Sequence, residues 1–203
     1  MTTVFIGGSR KVPRLNEVIR ARLDNLIRGH LAVVVGDANG ADKAVHTYLA
    51  ARAYRQVTVY CAGATCRNNV GHWPTIHVPI DRASRDFEYY AQKDARMAEI
   101  ASCSFMLWDG RSKGTLNNIL ALLRAEKKCL VYFGPERDCV LLRCLRDLSD
   151  LIPRCRQDDQ TTFEKKFRLS EVLASARHEL FPQERGAAPN KGIQPTRWKD
   201  ARG

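Results

Sequence analysis

The strongest constraint on this chain is a repeat of short apolar runs, each ending in small or polar residues and leading into a helix-like stretch. Val4-Phe5-Ile6 runs into Gly7-Gly8-Ser9-Arg10. The β-branched run over 31–35 ends in Gly36-Asp37-Ala38-Asn39-Gly40-Ala41-Asp42, and Ser104-Phe105-Met106-Leu107 ends in Trp108-Asp109-Gly110-Arg111-Ser112-Lys113-Gly114-Thr115. Continuous apolar runs of this kind suit strands covered on both faces. Between the first two, Leu15, Val18, Ile19, Leu23, Leu26 and Ile27 recur at helical spacing and stop at Gly29. Further strands are expected over 57–60, 75–78 and 130–133, and further helices over 41–54, 84–101 and 115–128. The alternation predicts an α/β fold, a Rossmann-like parallel sheet with helices on both faces. Ligands of such sheets bind outside the carboxyl ends of the strands, where the strand order reverses. Every polar loop named above follows a strand, so all of them gather at that edge.

Beyond Pro135 the alternation stops. Apolar spacing predicts one helix over 139–152 and, after a polar stretch over 157–162, another over 163–180. The pair is expected to pack on the sheet domain or on a second subunit. The segment 181–203 is rich in Pro, Gly, Ala, Arg and Lys and reads as disordered. The organisation expected is a nucleotide-binding domain over 1–135, a helical extension over 136–180 and a tail.

A net charge of +11 favours anionic ligands. The excess is concentrated in residues 1–135, which hold 19 Lys and Arg against 11 Asp and Glu. Seven cysteines, an odd number, and a strand that starts directly after Met1-Thr2-Thr3 point to a reducing cytoplasm. No apolar run approaches membrane-spanning length, so no membrane partner is expected. Cys61, Cys66, His72 and His77 could ligate zinc on paper. Their spacing matches no paired Cys-x-x-Cys framework, and no metal is expected.

The stretch 108–115 has the chemistry of a phosphate cradle. Gly110 and Gly114 let backbone amides approach a ligand, the helix start adds partial positive charge, and Ser112, Lys113 and Thr115 add two hydroxyls and an ammonium. The spacing of a Walker loop is absent. Gly7, Gly8, Ser9 and Arg10 could add amides, a hydroxyl and a guanidinium. In the second loop Gly36 and Gly40 permit close approach, while Asp37 or Asn39 could take a ribose hydroxyl or simply cap the helix opened by Asp42. Arg67, Asn68 and Asn69 suit a phosphate or a base edge, or form a polar surface loop. Asp94 falls on the apolar side of its helix and requires a partner there, with Lys93 beside it. Trp108, Met97 and Met106 are expected in the core. No catalytic set stands out: there is no Gly-x-Ser-x-Gly, no His-Glu-x-x-His, and no cysteine with an evident histidine partner.

Taken in order, Gly7-Gly8-Ser9-Arg10, Gly36 to Asp42, Lys93-Asp94-x-x-Met97 and Trp108 to Thr115 resemble the SLOG superfamily. That group joins DNA-processing protein A with the "lysine decarboxylase-like" LOG proteins, and the loop Arg67-Asn68-Asn69-Val70-Gly71 is similar to its smaller bacterial branch. The resemblance covers about residues 3–135. It implies a Rossmann-like domain that binds a nucleotide or nucleotide derivative, usually in a homodimer. LOG enzymes are phosphoribohydrolases. Their Arg-Lys-x-x-Met signature corresponds to Lys93-Asp94-Ala95-Arg96-Met97, and their loop acid falls on Asn118. Cleaving a glycosidic bond wants a carboxylate, and an amide cannot ionise. The resemblance therefore favours a sensor or binding protein without a certain cofactor. A phosphoribohydrolase would need Asp109 or Asp94 as a substitute, with Lys93 as a further candidate. The stretch Asn190-Lys191-Gly192-Ile193-Gln194-Pro195-Thr196-Arg197 is similar to read-through of a recombination site in a mobile gene cassette. A third reading, a single-stranded nucleic-acid module, is prompted by the charge; no aromatic-basic stripe accompanies it, since Tyr89 and Tyr90 are adjacent.

Overall fold

A computed structural model describes residues 2–80 and 86–178. Strands β1 (Thr3–Gly8), β2 (Ala32–Gly36), β3 (Val57–Ala62), β4 (Thr75–Val78), β5 (Cys103–Trp108), β6 (Cys129–Phe133) and β7 (Asp138–Leu142) form one sheet. Their spatial order is β4-β3-β2-β1-β5-β6-β7. All pairings are parallel except that of β6 with β7. The α/β fold with a parallel sheet covered on both faces is the one expected.

Side chains alternate across the sheet and feed two cores. Val4 and Ile6 point to one face, which helices α1 (Glu17–Arg28) and α2 (Ala41–Ala50) cover with Ile19, Leu23, Val45 and Leu49. Phe5 points to the other, covered by α3 (Phe87–Ile100) and α4 (Lys113–Arg124) through Met97, Leu116 and Ile119. The chain moves outward from β1 to β4, then returns to place β5 beside β1. The loops after β1 and β5 therefore diverge to opposite faces, which opens a crevice between them.

The C-terminal part differs from expectation. Instead of one helix over 139–152, the chain turns back after β6 and adds β7 antiparallel to it, then forms α5 (Leu145–Leu151). The open edge of β6 offers unpaired backbone groups, and five residues of β7 satisfy them. A 3-10 turn, Ile152–Arg154, precedes α6 (Gln157–Phe167) and α7 (Leu169–His178). The polar stretch 157–162 is thus helical, with Asp158 and Asp159 in its first turn, where carboxylates are favourable. The helix expected over 163–180 is broken at Arg168, which adopts left-handed backbone. Phe163 is fully buried with its ring 5.8 Å from that of Trp108, so these helices pack on the sheet domain. Residues 81–85 and 179–203, including the expected tail, lie outside the described residues. Among the described residues no helix is long and apolar enough to cross a membrane.

Candidate functional site

A cavity of about 460 Å³ lies at the carboxyl ends of β1 and β5, bordered by the starts of α2 and α4 and by one side of α3. Gly8 closes the approach of β1 to β5: a Cβ there would sit 2.4 Å from the Leu107 carbonyl oxygen. Ser9 is buried and pinned through both its hydroxyl and its backbone. Its Oγ donates to Asp109 Oδ2 (2.8 Å) and accepts from the Lys11 amide (3.0 Å), while its carbonyl accepts from the Ala41 amide (3.1 Å). Asp109 Oδ1 accepts from the amides of Arg111 (3.1 Å) and Ser112 (2.8 Å). Ser112 in turn caps α4, its Oγ accepting from the Thr115 amide (3.3 Å) and from Thr115 Oγ1 (3.0 Å).

The first amides of α4, those of Lys113 and Gly114, have no partner inside the helix. A Cβ on Gly114 would meet only Ser112 Oγ, at 3.9 Å, so the space over this helix start is open. Among the described residues Arg10, Lys11 and Lys113 line the cavity with no carboxylate partner. The other lining cations are committed: Arg67 to Asp37, Lys93 to Asp94, and Arg111 to Asp159 at 3.5 Å.

A buried ionic cluster forms the floor. Asp37, 1% exposed, accepts from the Arg67 amide and Nε on Oδ2 (3.0 Å each) and from the second guanidinium nitrogen on Oδ1 (2.7 Å). Lys93, 2% exposed, places Nζ 3.0 Å from Asp94 Oδ1 and 3.7 Å from Asp37 Oδ1. Asn118 Nδ2 donates to Asp94 Oδ2 (3.1 Å). Burial alone would raise Asp37 and lower Lys93. The Arg67 hydrogen bonds hold Asp37 below the usual carboxylate range, and Asp94, Asp42 and Asp37 together hold Lys93 above the usual ammonium value. Asp42 differs. Burial pushes its carboxyl up to about 7, although Lys93 and the Ala38 amide (3.1 Å to Oδ2) oppose the shift. His46, beneath β2, is also fully buried; burial pushes it down to about 4, and its ring lies edge-on to Trp73. Backbone at Gly36 opposes that shift without reaching hydrogen-bonding geometry.

Of the residues singled out from sequence, Gly7, Gly8, Ser9, Arg10, Asp42, Arg67, Lys93, Asp94, Asp109, Ser112, Lys113, Gly114, Thr115 and Asn118 line this one cavity. Gly36, Asp37, Asn39, Gly40, Asn69 and Gly110 do not. Asp37 does not cap α2, whose N-cap is Gly40 without a side-chain bond; its carboxylate is paired with Arg67. Asn39 accepts from Asn68 Nδ2 (3.1 Å), and Asn69 closes its own turn through the backbone of Trp73. Gly36 leaves room for Lys93, whose Nζ would lie 2.4 Å from a Cβ there. Asp94 has its partner in Lys93, as its apolar surroundings require. Trp108, Met97 and Met106 are core residues.

The structure adds Phe87 and Tyr90 of α3 to the lining. The guanidinium of Arg67 lies 4.5 Å and that of Arg10 5.5 Å from the Tyr90 ring centre. Tyr89, by contrast, is buried and donates to the Ala62 carbonyl (3.2 Å). The i, i+3, i+7 placement of Phe87, Tyr90 and Asp94 on one helix side was the available signal. Arg111 and Asp159 meet only through the folding back of α6, which no local pattern announces.

Cys61 and Cys66 form a disulfide, and the other five cysteines are free. Among the described residues the paper zinc set does not come together: Cys61 and Cys66 are bonded to each other, and neither His72 nor His77 groups with them. Asp37 joins the two sulfurs instead, with its oxygens already bonded to Arg67. Comparison with protein-family models, with curated proteins and with solved structures finds no match to this chain.

Proposed function

We propose that the cavity binds a nucleotide or nucleotide-derived ligand and that the protein acts as a sensor or binding protein. One observation carries the reading: Arg10, Lys11 and Lys113, with no carboxylate partner among the described residues, and the open start of α4 converge on a crevice whose other wall carries Phe87 and Tyr90. A phosphate suits the amides of Lys113 and Gly114, where the helix dipole adds to the nearby ammonium. A planar base suits an aromatic wall. The volume falls in the range of small-molecule sites. The resemblance to SLOG proteins, and the homodimer it implies, belong to the same proposal. Titration calorimetry of the full chain with mono-, di- and cyclic nucleotides and ADP-ribose tests it. Binding by one of these, weakened in Lys113→Ala, is expected; a folded protein that binds none of them overturns the reading.

One observation favours a second reading, hydrolysis of a nucleoside monophosphate. Asp42 lines the cavity with a carboxyl titrating at about 7, the range suited to a general acid or base. Asp109 fits that role less well, since three hydrogen bonds hold it in place. Free base released from a nucleoside monophosphate, and lost in Asp42→Asn, is the expected result. Release no faster than without protein refutes it.

A further inference from the structure

We infer that Cys61 and Cys66 are a thiol–disulfide exchange site whose oxidation state sets the position of Arg67 at the cavity. The regulatory part rests on the ligand-binding reading above; the exchange site itself does not. Cys61 lies in β3, one residue before its end, and is fully buried, while Cys66 is partly exposed and immediately precedes Arg67. The disulfide thus staples the residue next to Arg67 onto the sheet. From that staple the Arg67 amide and guanidinium reach Asp37, Asn68 Nδ2 donates to the Asp37 carbonyl (2.8 Å), and the guanidinium lies over Tyr90. The segment being closed is Ala62-Gly63-Ala64-Thr65, small residues that regain conformational freedom once the link opens. Without it, the Arg67 position depends on the bonds its amide and guanidinium make to Asp37 and on the neighbouring Asn68 bond, with the guanidinium itself 32% exposed to water.

The chemistry is exchange with a small thiol of the glutathione class. A glutathione thiolate attacks Cys66 Sγ, the accessible sulfur. The Cys61–Cys66 bond breaks, and Cys61 leaves as a thiolate that takes up a proton. A second glutathione thiolate attacks the glutathione sulfur of the mixed disulfide, giving glutathione disulfide and the Cys66 thiolate, which is protonated in turn. Two electrons pass to the protein, and the reverse sequence restores the staple. The Asp37 carboxylate stands within 4.8 Å of both sulfurs and disfavours any thiolate formed there.

The full chain equilibrated with glutathione disulfide should present five thiols in denaturant, and seven after reduced glutathione. Amide exchange over residues 62–69 should speed up about tenfold or more on reduction, with the other strands unchanged. AMP affinity should fall roughly tenfold, as expected for loss of one charged contact. Cys66→Ser should exchange rapidly in both buffers; should that variant not fold, the wild-type comparison decides alone. Seven thiols in every buffer, or equal exchange over 62–69 in both states, overturns the inference. Absence of AMP binding in both states, with the thiol and exchange results as expected, counts against the ligand reading and leaves the exchange site standing.

Discussion

Ser9 Oγ donates to Asp109 Oδ2 at 2.8 Å across 100 residues of chain, and this one bond ties the loop after β1 to the loop after β5. Those strands flank the point where the sheet order reverses, so the bond fixes the width of the crevice. Asp109 also anchors the Arg111 and Ser112 amides. Asp109→Ala leaves three donors without their acceptor, two of them backbone. It should cost about 2–4 kcal/mol, against about 1 kcal/mol for Ser9→Ala, measured by urea unfolding. Equal losses for the two variants would contradict this division of roles.

Gly114 and Gly8 should respond oppositely to an added methyl. At Gly114 the methyl enters open space above the start of α4, so Gly114→Ala should leave stability unchanged or raise it by up to about 1 kcal/mol. Nucleotide binding should nevertheless weaken, since the methyl enters the space proposed for the phosphate. At Gly8 the same methyl meets the Leu107 carbonyl oxygen and Cβ, at 2.4 and 2.7 Å. Gly8→Ala should therefore destabilise by about 1–3 kcal/mol. Thermal melts with and without AMP separate the two effects.

These two glycines also mark what local sequence conveys. Gly8 closes β1 and Gly114 lies in the first turn of α4, and strand–loop–helix order suffices to put them at the sheet edge. The apolar runs of β1, β2 and β5 are continuous because both faces are covered, which made them visible. The run at β7 was not distinctive: Cys139, Val140 and Leu141 fit a helix period as well as a strand period. Its hairpin bends through Arg137 at φ +57°, without the Asn-Gly pair that usually announces such a turn. The pairing of Asp37 with Arg67 joins loops 30 residues apart, and a carboxylate that looked free to meet a sugar is spent on it. Contacts of that kind depend on which strands lie side by side.

Asp42 gives stability a pH dependence of known sign. Its folded value, about 7, is above the ordinary 3.8, so the folded state holds the proton more tightly. The associated stability is fully present below about pH 4 and is lost as pH rises towards 7, with a slope of up to about 1.4 kcal/mol per pH unit. His46 works the other way, its lowered value costing stability as pH falls from 6.5 towards 4. Asp42→Asn keeps an acceptor for the Ala38 amide and removes only the Asp42 contribution. Relative to wild type the variant should gain stability from pH 4 to 7 and then level off. A constant difference across that range, from urea unfolding at each pH, would refute the assignment.

Phe163 decides whether the C-terminal helices are integral to the sheet domain. Its ring is fully buried against Trp108, which itself ends β5, and Leu148 and Leu169 share the same core. Asp159, one turn earlier on α6, reaches Arg111 at the cavity edge. Phe163→Ala should cost about 3–5 kcal/mol, as for a large core aromatic, and unfolding should remain a single transition. An extension docked independently would instead melt in a separate, earlier step and leave the main transition in place. Loosening α6 should also free Arg111 from Asp159, so the folded variant should bind AMP with altered affinity while Glu164→Gln, on the same helix, should not. Calorimetry of the three proteins distinguishes a helix that closes the cavity from one that merely lies on the surface.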